Sequence, residues 1–143
     1  MVKQWATAYV AAAVALAGLD AVWLITANNA VYRASIGAIL SPGFRPAPAI
    51  AFYALYLVGV VAFAVLPALS QGRWRGAAWR GALLGLVCYA TYDLTNQATL
   101  VVWPLSLSLI DMTWGMVLTT TGATAGFFAA RAVRAAQAAR RDR

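Results

Sequence analysis

Histidine and glutamate are absent from this chain, and cysteine occurs once, as Cys88. A lone cysteine excludes an intramolecular disulfide, and its apolar neighbours read as those of a small buried hydrophobe. With no imidazole and one thiol, the chain lacks the usual ligands for zinc, haem or an iron–sulfur cluster. No cofactor is expected. Acid is nearly as scarce, the whole inventory being Asp20, Asp93, Asp111 and Asp142. Of the 143 residues, 10% are charged and 63% hydrophobic, whereas soluble domains carry about 25% charged residues. Polar groups this few cannot cover a soluble domain's surface. The sequence reads as an all-α integral membrane protein.

What charge there is, is basic: 11 Lys and Arg give a formal net charge of +7. These residues flank apolar runs instead of forming one soluble patch. That arrangement points to the membrane surface and away from nucleic acid.

A transmembrane helix needs about 20 mostly apolar residues. Four stretches qualify, at 5–27, 49–70, 79–101 and 107–130. They predict a compact antiparallel bundle of four transmembrane helices within a domain of residues 1–130, followed by a basic cytoplasmic tail at 131–143. The first stretch resumes its apolar character after Asp20, so it reads as a retained span and not a signal peptide. The connection 28–48 contains Pro42, Gly43, Pro46 and Pro48 and has room for a short helix at 31–40. Trp103 and Pro104 make the turn at 102–106 tight. Lys3, Arg73, Arg75, Arg80, Arg131, Arg134, Arg140, Arg141 and Arg143 fall on one side of the bundle, and Arg33 and Arg45 on the other. The excess of positive charge orients the chain with both termini in the cytoplasm. The tail either prolongs the last helix onto anionic headgroups or remains a solvated topology signal.

With a rise of 1.5 Å per residue, Asp20, Asp93 and Asp111 lie about 10, 12 and 6 Å inside the outer ends of their spans. Three helices thus bring carboxylates to similar depth. A carboxylate there costs about 2.5–3.5 kcal/mol at mid-helix and less toward the ends, and such residues face the bundle interior with a partner. Candidate partners share their helix faces: Trp23 beside Asp20, Trp114 beside Asp111, and Asn96 and Gln97 one turn beyond Asp93. Tyr89 and Tyr92 flank Asp93 in sequence. Asn28 and Asn29 close the outer end of span one. Asp20, Trp23, Tyr92, Asp93, Asn96, Asp111 and Trp114 are therefore the candidate ligand-binding residues, expected to form a polar pocket that opens outward. The same carboxylates also fit interhelical hydrogen bonding with no ligand. Trp5, Trp74, Trp79 and Trp103 read as interfacial belt residues. Gly81 with Gly85, and Gly122 with Gly126, have the spacing of close helix contacts.

Gly18, Asp20 and Trp23, the string Tyr92-Asp93-Leu94-Thr95-Asn96, the pair Trp103-Pro104 and the string Asp111-Met112-Thr113-Trp114-Gly115 together make a specific pattern. In these residues the chain resembles the bacterial predicted membrane proteins grouped as domain of unknown function 2177, up to about Phe128. The resemblance implies a compact four-helix protein of the bacterial inner membrane. It names no reaction, and its motif positions coincide with the Asp, Asn and Trp residues chosen by depth.

Three functions fit this reading. In the first, the pocket binds or transports a small ligand, a cation or a proton. In the second, the chain is an accessory or assembly subunit of a larger membrane complex, and the Asp residues pair with partner groups. In the third, it is a membrane enzyme acting on a lipid or isoprenoid, with two carboxylates dividing acid and base roles. The third lacks any nucleophile constellation or metal-binding string. The expected partners are the bilayer and its anionic headgroups at the tail, with a homo-oligomer or a larger membrane complex as the assembly.

Overall fold

The computed structural model describes residues 2–141. Every regular element among them is helical. Helix α1 spans Val2–Ala27 and runs on through a π-helical turn at Asn28–Arg33 into α2 (Ala34–Ile36) and a 3₁₀ turn at Gly37–Ile39. Helix α3 (Pro46–Gly59), a second π-helical stretch (Val60–Val65) and α4 (Leu66–Gln71) form one rod. Helices α5 (Trp74–Thr99) and α6 (Leu105–Arg141) complete the chain. Asn28 and Asn29 therefore do not end the first helix, as their side chains had suggested. The π-helical turn widens the helix there and carries it on. The expected short helix at 31–40 is a continuation of α1. At the other end of the chain, α6 extends helically into the basic tail as far as Arg141. Asp142 and Arg143 lie outside the described residues.

Local chemistry explains the joints. Pro46 and Pro48 occupy the first turn of α3, where a missing N–H costs nothing because those donors have no intrahelical partner. Pro67 follows the second π-helical stretch. Proline crowds the carbonyl four residues earlier and offers it no N–H, and the wider turn absorbs the mismatch, with Leu66 N–H reaching Val61 O. Gly72 ends α4 at φ 69°. Its N–H donates to Leu69 O at 3.3 Å, and Arg73 N–H donates to Ala68 O at 3.2 Å. A left-handed cap of this kind suits glycine because a Cβ is strained there.

Cross-contacts give the topology. Gln4 bonds Gln137 and Trp114 bonds Asp20, so α1 and α6 are antiparallel. Gln97 meets Ser108 across the α5–α6 turn, and Gly81 faces Ala123 further down. Tyr53 bonds Asp20, while Tyr56 bonds Thr119 and Arg134 bonds Leu69. The α3–α4 rod thus runs against α1 and along α6. Both described termini and the α4–α5 turn lie at one end, called here the terminal end. The α1–α3 connection and the α5–α6 turn lie at the far end.

The main core is built of small and branched side chains: Ala8, Ala12 and Leu16 from α1, Val60, Val61, Ala64 and Val65 from the π-helical stretch, and Leu118, Ala123 and Phe127 from α6. Glycines bring the backbones close. A Cβ at Gly85 would stand 2.1 Å from Gly115 O, and one at Gly81 2.9 Å from Thr119 O. Gly122 receives Leu16, and Gly126 faces Ala8 O and Val65. Both glycine pairs noted in the sequence therefore sit at helix contacts. A smaller cluster of Ile36, Trp103 and Leu107 with Val31 and Tyr32 closes the far end. Trp103 is buried in it, not placed in an interfacial belt. Outward faces of all four rods carry large apolar side chains, among them Ile25, Phe63, Trp79 and Leu109. Two helical runs, Val2–Ile39 and Pro46–Gln71, are long and apolar enough to cross a membrane.

Candidate functional site

Asp20, Asp93 and Asp111 all occupy the far half, and all are buried. Two of them accept hydrogen bonds from aromatic side chains. Asp20 accepts a hydrogen bond from Trp114 Nε1 at 2.9 Å and another from the Tyr53 hydroxyl. Asp111 accepts one from the Tyr32 hydroxyl at 2.6 Å, and Tyr32 in turn accepts from Trp23 Nε1 at 2.9 Å. Trp23 and Trp114 stack with ring centroids 4.5 Å apart and planes 13° from parallel. Tyr53, Asp20, Trp114, Trp23, Tyr32 and Asp111 thus form one continuous chain of contacts across α3, α1, the π-helical turn and α6. Such bonds to carboxylates are stronger than neutral ones, so the chain clamps the far end.

Asp93 differs. It is 0% exposed, and neither carboxylate oxygen has a hydrogen-bond partner. The indole of Trp103 lies close but donates to Ser108 Oγ at 3.2 Å, and Ser108 donates to Gln97 Oε1 at 3.1 Å. A buried carboxylate without donors is costly in its charged form. Orphaned polar groups of this kind are rare and mark a place for a water or ion, or a chemical role. Among the described residues no three His, Cys, Asp or Glu side chains group as metal ligands.

The family described as predicted membrane protein (DUF2177) matches residues 5–128. The chain belongs to that family. No curated protein and no solved structure matches it. In this DUF2177 member, every candidate site residue falls inside the matched segment, whereas Arg134 and the rest of the basic tail fall beyond it.

Of the sequence-predicted set, Asp20, Trp23, Asp111 and Trp114 come together directly. Asp93 is buried on the neighbouring helix α5, in the same half of the bundle. Tyr92 points away, 57% exposed, with its ring edge-on to Trp103 at 5.5 Å. Asn96 is half-buried one turn beyond Asp93. The two tryptophans stack on each other, where the sequence suggested the walls of an open hollow. Together they border a shallow groove with Thr113 and Val117. Arg33 and Arg45 line a different hollow, with Asn28 and Leu40, and do not cover the carboxylates.

Sequence reasoning missed Tyr32 and Tyr53, which supply the donors to Asp111 and Asp20. A signal for Tyr53 existed, since span two contains few polar side chains and a buried Asp needs a donor. Tyr32 carried no such signal. It lies in a connection whose path over α6 depends on the π-helical turn.

Proposed function

We propose that the chain is a four-pass protein of the bacterial inner membrane, with both termini cytoplasmic, whose Asp93 takes up a proton or small cation inside the bundle. Four rods with apolar outward faces support the transmembrane reading. The positive excess at the terminal end supports the orientation. One observation carries the functional reading: Asp93 is fully buried, with both oxygens unpartnered, while Asp20 has both oxygens bonded and Asp111 is held through Oδ1. Intramembrane carboxylates of this kind mark proton and ion pathways. A close-packed surrounding favours a compact occupant over an organic ligand. Asp111, held by Tyr32, supplies a second negative charge in the same half of the bundle. Movement of Tyr32 would couple occupancy to the connection at the far end.

Infrared difference spectroscopy of the full chain in lipid vesicles tests the reading, comparing acid with alkaline buffer and sodium with a bulky organic cation. Wild type gives a carboxyl band that responds to pH or to sodium, and Asp93→Asn removes it. A wild-type spectrum without that response overturns the proposal, as does a band that survives Asp93→Asn and vanishes in Asp111→Asn. Orientation is tested separately by single cysteines placed in a Cys88→Ala background. A cysteine at Arg45 is labelled from outside the cell, and one at Arg75 only after the membrane is opened.

A further inference from the structure

The terminal end contains a cleft of about 870 Å³ between the start of α1, the end of α4 and the tail portion of α6. Trp5, Leu66 and Leu69 form its apolar walls, and Gln4, Ser70 and Arg134 provide its polar rim. The volume falls within the range of about 300–1,000 Å³ usual for small-molecule sites. Trp5 is steadied by stacking on Tyr9 at 5.3 Å. Arg134 donates through Nη1 to Leu69 O at 3.2 Å, a carbonyl at the end of α4 that it shares with Gly72 N–H. That bond anchors the guanidinium at the cleft mouth and uses one of its five donors.

The charge around the cleft has one sign. Lys3, Arg73, Arg131 and Arg140 lie at the same end, and the described acids are all in the far half. A cationic rim above apolar walls is complementary to an amphiphile with an anionic head, and a soluble anion would leave the walls unused. We infer that this cleft seats one anionic phospholipid, its acyl chain along Leu66, Leu69 and Trp5 and its phosphodiester against Arg134. The inference rests on the transmembrane reading above and is independent of Asp93. It gives the basic tail a specific role: α6 extends beyond the apolar core to hold Arg134 over a lipid.

Native mass spectrometry of the detergent-purified full chain tests this, with titration by phosphatidylglycerol and by phosphatidylcholine of matched acyl chains. Wild type retains phosphatidylglycerol preferentially. Arg134→Gln lowers that preference about fivefold, as expected for one basic residue near an anionic surface. Gln4→Glu, which puts a counter-ion in the cleft, lowers it in the same direction and serves if Arg134→Gln does not fold. Arg33→Gln at the far end leaves it unchanged. Equal retention of the two lipids by wild type overturns the inference, and so does a preference that survives both cleft variants. Inorganic phosphate that displaces phosphatidylglycerol at equal concentration would assign the site to a free anion instead. Alkaline extraction separates the two failures. Release of the protein from membranes refutes the transmembrane reading, whereas lost lipid preference in a protein that stays embedded refutes the cleft alone.

Discussion

The two halves of the molecule are held together by different physics. In the terminal half, glycine and alanine let backbones touch: Gly81 and Gly85 meet α6, and Gly122 and Gly126 meet Leu16 and Ala8. In the far half, aromatic donors meet carboxylates: Trp114 and Tyr53 bond Asp20, and Tyr32 bonds Asp111. In the transmembrane reading proposed above, lipid tails surround the helices, so apolar burial drives little association and close packing and hydrogen bonds are left to do it. One bundle uses both, at opposite ends. Packing by small residues tolerates no added volume. The polar end depends on keeping each donor matched to an acceptor, and Asp93 is where that matching stops.

The largest effect that would sharpen this contrast comes from volume. Gly85→Ala sets a Cβ 2.1 Å from Gly115 O, a backbone atom that cannot move alone. The variant loses about 3 kcal/mol or more, read as lost monomer yield and a lowered unfolding midpoint in detergent. An unaffected midpoint would mean that α5 and α6 stand further apart than described.

Next comes loss of a shared acceptor. Asp20→Ala strands both Trp114 Nε1 and the Tyr53 hydroxyl. Two bonds at about 0.6 kcal/mol each, plus unsatisfied donors, give a loss of about 1–2 kcal/mol. Tyr32→Phe also removes two bonds, one to Asp111 and one from Trp23, and costs a comparable amount of about 1–2 kcal/mol. Combined in a double-mutant cycle, Asp20→Ala and Tyr32→Phe fall short of additivity if the Trp23–Trp114 stack couples them. Strict additivity would divide the far end into two separate clamps.

The smallest effect is expected where neither mechanism operates. Gly18 lies in α1 with nothing within 4 Å of a Cβ built on it. Gly18→Ala shifts stability by no more than about 0.5 kcal/mol, measured beside Gly85→Ala under the same conditions. A large loss at Gly18 would reveal a partner surface on that face.

Much of the architecture was readable in advance because it follows from apolar run length and turn chemistry. The α3–α4 rod begins at Pro46 and α6 begins just after Pro104, residues whose backbone limits are local and which the sequence marks. The depth of the three acids was also readable, since helical rise converts sequence position directly into height. Their partners were not. Angle around a helix advances 100° per residue, so whether Asp20 faces Tyr53 or lipid depends on how the rods are rotated against each other. The extension of α1 past Asn28 was hidden for a related reason, as a π-helical turn is chosen by packing against Trp103 and Leu107 and has no residue signature of its own.

Sequence alone determined that the chain is helical and apolar outside, that Asp20, Asp93 and Asp111 lie in the same half of the bundle and that most of its cations gather at the other end. Each of these depends on composition or on distance along a single helix. Only the tertiary structure decided which acids are satisfied and which is not. It took four rods to bring Tyr32, Tyr53 and Trp114 to Asp20 and Asp111, and the same packing buried Asp93 with neither oxygen hydrogen-bonded. Satisfaction of a buried polar group is a property of its neighbours in space, which come from distant parts of the chain.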